Sequence, residues 1–230
     1  MLARIIRRAV PQESIRHELR LVRASMSRLM RGVRDEIFGT RVAPAQPGGL
    51  QVNVGCGDIV VPGWVNIDQQ SRSGSYYANV LNGLPFADGA AARIHCEHFL
   101  EHLQFEHARA FLAECHRVLE PGGWLRVIVP DAGRYCEAYA RNDTEFFNRL
   151  ERLGGAAEPL ATPMQVINQM FRMGGEHLFA WDFETLCGAL EGAGFARIAR
   201  SRKDDDARGK VIDGNDWWRE VESLYVDATK

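Results

Sequence analysis

From Leu50 onward, short apolar runs alternate with stretches of helical period. That alternation restricts the chain to a layered α/β architecture with a mostly parallel sheet. Leu50–Val54 reads as a buried strand, Trp64–Ile67 as a second ending at Asp68, Tyr77–Val80 as a third and Arg93–Cys96 as a fourth. Phe105–Leu119 is a helix with Phe111, Leu112, Cys115, Val118 and Leu119 on one side, stopped by Pro121-Gly122-Gly123. Trp124–Val129 is the next strand, ended by Pro130. Residues 131–176 read as a helical insert broken at Gly154-Gly155, Pro159, Pro163 and Gly174-Gly175. Phe183–Ala193 is a helix closed by Gly194, and Phe195–Ser201 and Ser223–Val226 are the last strands.

Residues 1–41 differ in kind from this body. Ile15, Leu19, Val22, Met26, Leu29, Val33 and Ile37 form one apolar stripe of an amphipathic helix. Arg16, Arg20, Arg23 and Arg34 lie off it. Pro11 fits the first turn and Gly39 the end, and Pro44, Pro47, Gly48 and Gly49 mark residues 42–49 as a linker. The segment holds ten Arg, no Lys and four acids, a net of +6. The chain's formal net charge is −2, so the remaining residues carry −8. A basic helix on an acidic body is expected to dock, on its own domain, on a second copy in a homodimer, or on an anionic membrane face. No aromatic residue is interleaved with the arginines before Phe38, and the body is acidic, so no nucleic-acid partner is expected.

Hydrophobic residues make up 46% and charged residues 25% of the 230, which excludes wholesale disorder. The five cysteines are scattered, with no C-x-x-C, which argues against a disulfide framework and a structural zinc site. No metal ligands are predicted. The Arg-rich start has no apolar run or cleavage site of a secretory signal, and Glu13, Glu18, Asp35 and Glu36 speak against a mitochondrial presequence. A cytoplasmic location, extending to the inner membrane face, is the expectation.

The first chemical signal is Asn53-Val54-Gly55-Cys56-Gly57-Asp58, directly after the first strand. Glycines there let the backbone turn tightly and approach a ligand. Asp68 ends the second strand, where a carboxylate accepts hydrogen bonds from ribose hydroxyls. The third glycine of G-x-G-x-x-G is absent, and Gly55 to Asp68 is shorter than the about 20 residues of a dinucleotide site, which disfavours NAD.

Further words follow in order. They are Gly63-Trp64-Val65-Asn66-Ile67-Asp68, Leu84-Pro85-Phe86-Ala87-Asp88, Leu100-Glu101-His102-Leu103, Glu114 through Gly123, Phe183-Glu184-Thr185-Leu186 and Ala193-Gly194-Phe195. Together with Val54-Gly55-Cys56-Gly57 they resemble the class I S-adenosylmethionine-dependent methyltransferases over about residues 50–200. The Gly-Trp-Val-Asn-Ile-Asp run looks most like a bacterial subgroup found with polysaccharide and lipopolysaccharide glycan assembly. The resemblance implies a Rossmann-like fold: a mostly parallel seven-stranded sheet with flanking helices over residues 50–230, here preceded by the amphipathic helix. It implies S-adenosyl-L-methionine as cofactor, bound by Asn53, Gly55, Cys56, Gly57, Asp68, Asn79, Val80 and His98. Asn79 stands where relatives often have an acid, and Ala91-Ala92-Arg93 replaces the usual entry to strand four. The helix between the first two strands must be very short or absent.

Methyl transfer from a sulfonium is a displacement in which the cofactor carries the reactivity. A base is needed when the acceptor is a hydroxyl or a protonated amine. His98, His177 and Asp131 are the catalytic candidates. His98 and His177 titrate near neutrality when unperturbed. Asp131 lies at the carboxyl edge of the sheet, with a helix N-cap as its plainer role. His95 and Glu97 should face away from Cys96 and His98. If His98 and His102 are both helical they share a face. Glu101 and His102 are expected mainly to anchor their turn. The aromatics of the insert, Tyr135, Tyr139, Phe146, Phe147 and Phe171, either cover the site or form a core of their own. Trp217-Trp218 is a lid or an interface patch. The amine-methylating word Asp/Asn-Pro-Pro-aromatic is replaced by Cys96-Glu97-His98-Phe99, which favours a hydroxyl of a glycan or small metabolite as acceptor. The rival reading is an inactive cofactor-binding protein or a scaffold that docks through its first helix.

Overall fold

The computed structural model describes residues 49–70, 73–151, 159–204, 213–214 and 217–230, together with Val22, Met26, Met30, Val33 and Ile37. Those five are helical and exposed. The rest of the basic extension and residues 42–48 of the linker lie outside the described residues.

The body is a seven-stranded sheet. β1 (Leu50–Val54) pairs in parallel with β2 (Val65–Asp68) and β4 (Ala91–Glu97). β3 (Tyr76–Tyr77) lies beside β2, and β5 (Leu119–Pro130) beside β4, both parallel. β7 (Ser223–Thr229) runs antiparallel between β5 and β6 (Ala196–Arg200). The order is β3-β2-β1-β4-β5-β7-β6. This is a Rossmann-like fold of the class I methyltransferase type. Leu125, Val127, Ile128 and Val129 of β5 are wholly buried, as a central strand covered on both faces requires. α1 (Phe105–Val118) buries Ala108, Phe111, Leu112, Cys115 and Val118 on its sheet-facing stripe. Its Glu114 accepts from the Leu84 amide at 2.9 Å and pairs with Arg117, fixing the loop before β4.

The differences from the sequence expectation are largest at β3, β5 and β7, while β2, β4 and β6 shift by one or two residues at their ends. β3 shrinks to two residues because Asn79 caps a 3₁₀ turn at Val80–Asn82, its side chain accepting from the Leu81 amide. β5 starts at Leu119, not Trp124. Ala91 pairs with Leu119 and Arg93 with Trp124, so Pro121-Gly122-Gly123 is absorbed as an irregularity within the ladder. A Cβ on Gly123 would stand 2.8 Å from the Glu120 carbonyl. β7 continues past Val226 to Thr229, because its pairing with β5 extends to Trp124. Among the described residues no helix joins β1 to β2. The Asn53 amide donates to Ile59 O and to Asn66 Oδ1, and Asn66 also holds the Val61 amide, so two buried asparagines staple the turn.

The insert forms a second core. α2 (Ala132–Ala140), α3 (Thr144–Arg149) and α4 (Pro163–Arg172) bury Tyr135, Phe146, Phe147, Leu150, Val166, Ile167 and Met170. Phe171 packs against that cluster, and Tyr139 is exposed. Thr162 and Gln165 close a capping box at the start of α4, with Pro163 in its first turn. α5 (Phe183–Gly192) returns the chain to the sheet, and α6 (Trp217–Glu222) leads into β7. No described helix is long and apolar enough to cross a membrane. None of the five cysteines forms a disulfide.

Candidate active site

The cleft opens at the carboxyl ends of β1 and β4, with a volume of about 280 Å³. Asn53, Gly55, Cys56 and Gly57 line one side, and His95, Glu97, His98 and Arg219 the other. Gly55 has φ +67°, and a Cβ there would stand 2.5 Å from the Phe99 ring, so no other residue fits without displacing it. Gly57 also has positive φ, with open space where a Cβ would be. Its amide donates to Asp68 Oδ2 at 3.0 Å, while Asp68 Oδ1 accepts from Gln70 at 2.7 Å. The carboxylate is thereby fixed at the tip of β2, and each oxygen keeps a lone pair for a further donor. Asp68 itself, and Asn79 and Val80 on the next loop, are outside the residues lining the cleft.

The opposite wall is a side-chain network. Strand alternation predicted that His98 faces away from His95 and Glu97. All three line the cleft instead, because His98 has φ 47° and leaves the β conformation. Its Nδ1 meets Glu101 Oε1 at 3.2 Å and its Nε2 meets Ser223 Oγ at 2.9 Å. The Trp218 ring packs edge-on at 5.2 Å. With Nδ1–H given to the carboxylate, Nε2 is the accepting nitrogen. The shared helical face with His102 does not form: Leu100–His102 is a 3₁₀ turn and His98 precedes it. Burial alone would raise the Glu101 carboxyl. The His98 hydrogen bond and the charges of His98 and His102 outweigh it and hold the group below the ordinary range.

Glu97 is closed in from α6. It accepts from the Gly214 amide at 2.9 Å and from the Arg219 guanidinium. Burial would raise its carboxyl too, but the His95 hydrogen bond and the Arg219 and His95 charges pull it down. Gly214 is brought here by a buried ion pair next to it, Arg126 with Asp213 at 3.0 Å. Glu222 is pushed up by burial and accepts a hydrogen bond from the Tyr135 hydroxyl.

Sequence reasoning missed Arg219, Ser223 and Glu222. Only Trp217-Trp218 marked that stretch, and nothing local reveals its partner across the sheet. Trp218 lies against His98, whereas Trp217 is exposed. Asp131 caps α2 by accepting from the Arg134 amide, pairs with Arg200 and lines a separate cavity of about 590 Å³. His177 is placed beside His102, with ring centroids 5.0 Å apart, and burial lowers its pKa. Among the described residues Glu101, His102 and His177 also form a group whose ligand atoms lie within 4.8 Å of one another.

Residues 63–127 match the family model described as "Methyltransferase domain". No curated protein matches by sequence. Three solved structures are similar to it. A SAM-dependent methyltransferase from Archaeoglobus fulgidus is 13% identical, with 88% of this chain and 94% of that one covered and a TM-score of 0.46. One from Thermotoga maritima is 14% identical, with 88% and 89% covered and a TM-score of 0.45. A third, from Methanosarcina mazei, is 15% identical, with 83% and 98% covered and a TM-score of 0.45.

S-adenosylmethionine is the cofactor that the sequence resemblance implies. The cleft fits it on its own chemistry. The two glycines leave the backbone bare along the cleft, and Asp68, held beside it by the Gly57 amide, offers acceptors for ribose hydroxyls. When bound, the cofactor supplies an electrophilic methyl on a sulfonium.

Proposed function

We propose that this methyltransferase transfers the methyl group to a hydroxyl of a glycan or small metabolite, with His98 as general base. Gly55, Gly57 and Asp68 hold the cofactor, and Glu101 keeps His98 Nδ1 protonated so that Nε2 takes the acceptor's proton. The observation that supports this most is the conformation of His98. A bulky residue at φ 47° persists only where its surroundings impose it, and here a buried carboxylate, a serine hydroxyl and an indole do so. Asp131, committed to a helix cap, is the weaker candidate. The link to glycan assembly rests on the Gly63–Asp68 word alone.

The basic extension is proposed as a docking element, in keeping with a cytoplasmic enzyme at a membrane face or bound to a partner. Val22, Met26, Met30, Val33 and Ile37 are between 48% and 64% exposed, a stripe available to a surface.

The test is calorimetry with S-adenosylmethionine, followed by transfer of labelled methyl to a panel of monosaccharides, nucleotide sugars and small alcohols. Cofactor binding with label in an ether-linked product is expected. No binding by the native chain would sink the cofactor assignment. Label entering only amines would overturn the hydroxyl reading.

A further inference from the structure

Apart from the bond of Glu101 to His98, the group Glu101, His102 and His177 has no part in the proposed transfer, yet it has the make-up of a metal site. Glu101 and His102 sit in the turn after β4, and His177 follows α4. The two segments are stitched together by the Glu101 carbonyl, which accepts from the Leu178 amide at 2.8 Å and the Phe179 amide at 3.2 Å. The imidazoles meet edge to face, and one ligand atom from each of the three residues lies within 4.8 Å of the others. Bonds of about 2.0–2.2 Å to one ion would draw these atoms together by about an ångström, within reach of side-chain rotation.

Two further observations point to a ligand. Each imidazole has its Nδ1 on a backbone carbonyl, His102 on Glu176 and His177 on Met170. That bond protonates Nδ1 and leaves Nε2 as a lone-pair donor, the arrangement usual for metal-ligating histidines. Glu101 is only 2% exposed, and while its Oε1 meets His98, its Oε2 is buried with no hydrogen-bond partner. Buried carboxylate oxygens are normally satisfied, so an orphan oxygen on a carboxylate grouped with two imidazoles calls for a cation. A purely structural turn would need neither the orphan nor the two oriented rings.

We infer that Glu101, His102 and His177 bind one divalent first-row metal ion of the zinc class. Two imidazoles with a single carboxylate suit zinc and its neighbours. Magnesium and calcium take mostly oxygen shells. Three protein ligands leave a coordination position open, as in sites that act on a substrate. The ion is one hydrogen bond, Glu101 to His98, from the wall of the cleft. A hydroxyl taken up in the open position would be acidified there. That last role rests on the hydroxyl-acceptor reading; the binding of the ion does not.

The full chain, stripped with a chelator, is titrated calorimetrically with zinc chloride and, separately, with magnesium chloride. One zinc per chain is expected, with no magnesium uptake at the same concentrations. Glu101→Gln, His102→Ala and His177→Ala should each weaken zinc binding by at least about tenfold. Circular dichroism melts check that each variant is folded. The wild-type chain titrated with cobalt chloride should show visible absorption bands that zinc displaces, a readout that needs no variant. Absence of zinc and cobalt binding by wild type overturns the inference, as does unchanged affinity in all three folded variants. Wild-type binding of S-adenosylhomocysteine is measured in parallel. Its failure would strike the cofactor assignment, and failure of zinc binding alone strikes only this site.

Discussion

The two walls of the cleft are built in opposite ways. The proposed cofactor wall is made of near neighbours held through the backbone: Gly57 reaches Asp68 across 11 residues, and Gly55 is fixed by its own φ. The proposed acceptor wall is made of side chains from distant segments: His98 meets Ser223 across 125 residues. The first wall has one permitted geometry, whereas the second depends on each partner staying in place. Substitutions on the first should therefore act on affinity and folding, and those on the second on turnover.

The sharpest test is His98→Gln, expected to lower turnover by about 10²–10⁴-fold as for loss of a general base, with cofactor affinity changed only a few-fold. Equal losses in both would erase the contrast. Gly55→Ala comes next. A Cβ 2.5 Å from the Phe99 ring at positive φ should cost about 2–4 kcal/mol, read as a lowered denaturation midpoint. Phe99→Ala in the same chain should recover part of it. Asp68→Ala should weaken S-adenosylhomocysteine by about 10–100-fold, for one or two lost bonds to a charged group, with the melting temperature little altered.

The smallest expected effect is a pH dependence. Glu97 has a lowered folded-state pKa, so its contribution is full above the unfolded value of about 4.3 and is lost as pH falls through the folded value. Glu97→Gln should therefore lower stability at neutral pH and converge on wild type as pH falls below about 4.3, which flattens the acid limb. An unchanged acid limb would detach α6 from the acceptor wall.

The same contrast decided what could be read in advance. β1 is found over the residues expected, and Gly55, Gly57 and Asp68 come together, because a short apolar run and turn glycines are local signals. The start of β5 could not be read: Pro121-Gly122-Gly123 looks like a stop, and only pairing with Ala91 turns it into a kinked ladder. The orientation of His98 depends on a left-handed residue imposed by Glu101, Ser223 and Trp218, two of which lie more than a hundred positions away. Arg219 carries no local mark of its bond to Glu97. The tertiary fold alone joins them.

The antiparallel β7 has a consequence for how the protein is made. It is the last strand in chain order, yet it lies between β5 and β6, and Ser223 at its head secures His98. While the chain leaves the ribosome, the glycine turn and Asp68 can find each other early. His98, the proposed base, must wait until β7 has been synthesised and has inserted into a sheet gap already flanked on both sides. Long-range closure of this kind folds slowly. A nascent chain would therefore acquire a place for the cofactor well before it acquires the means to use it.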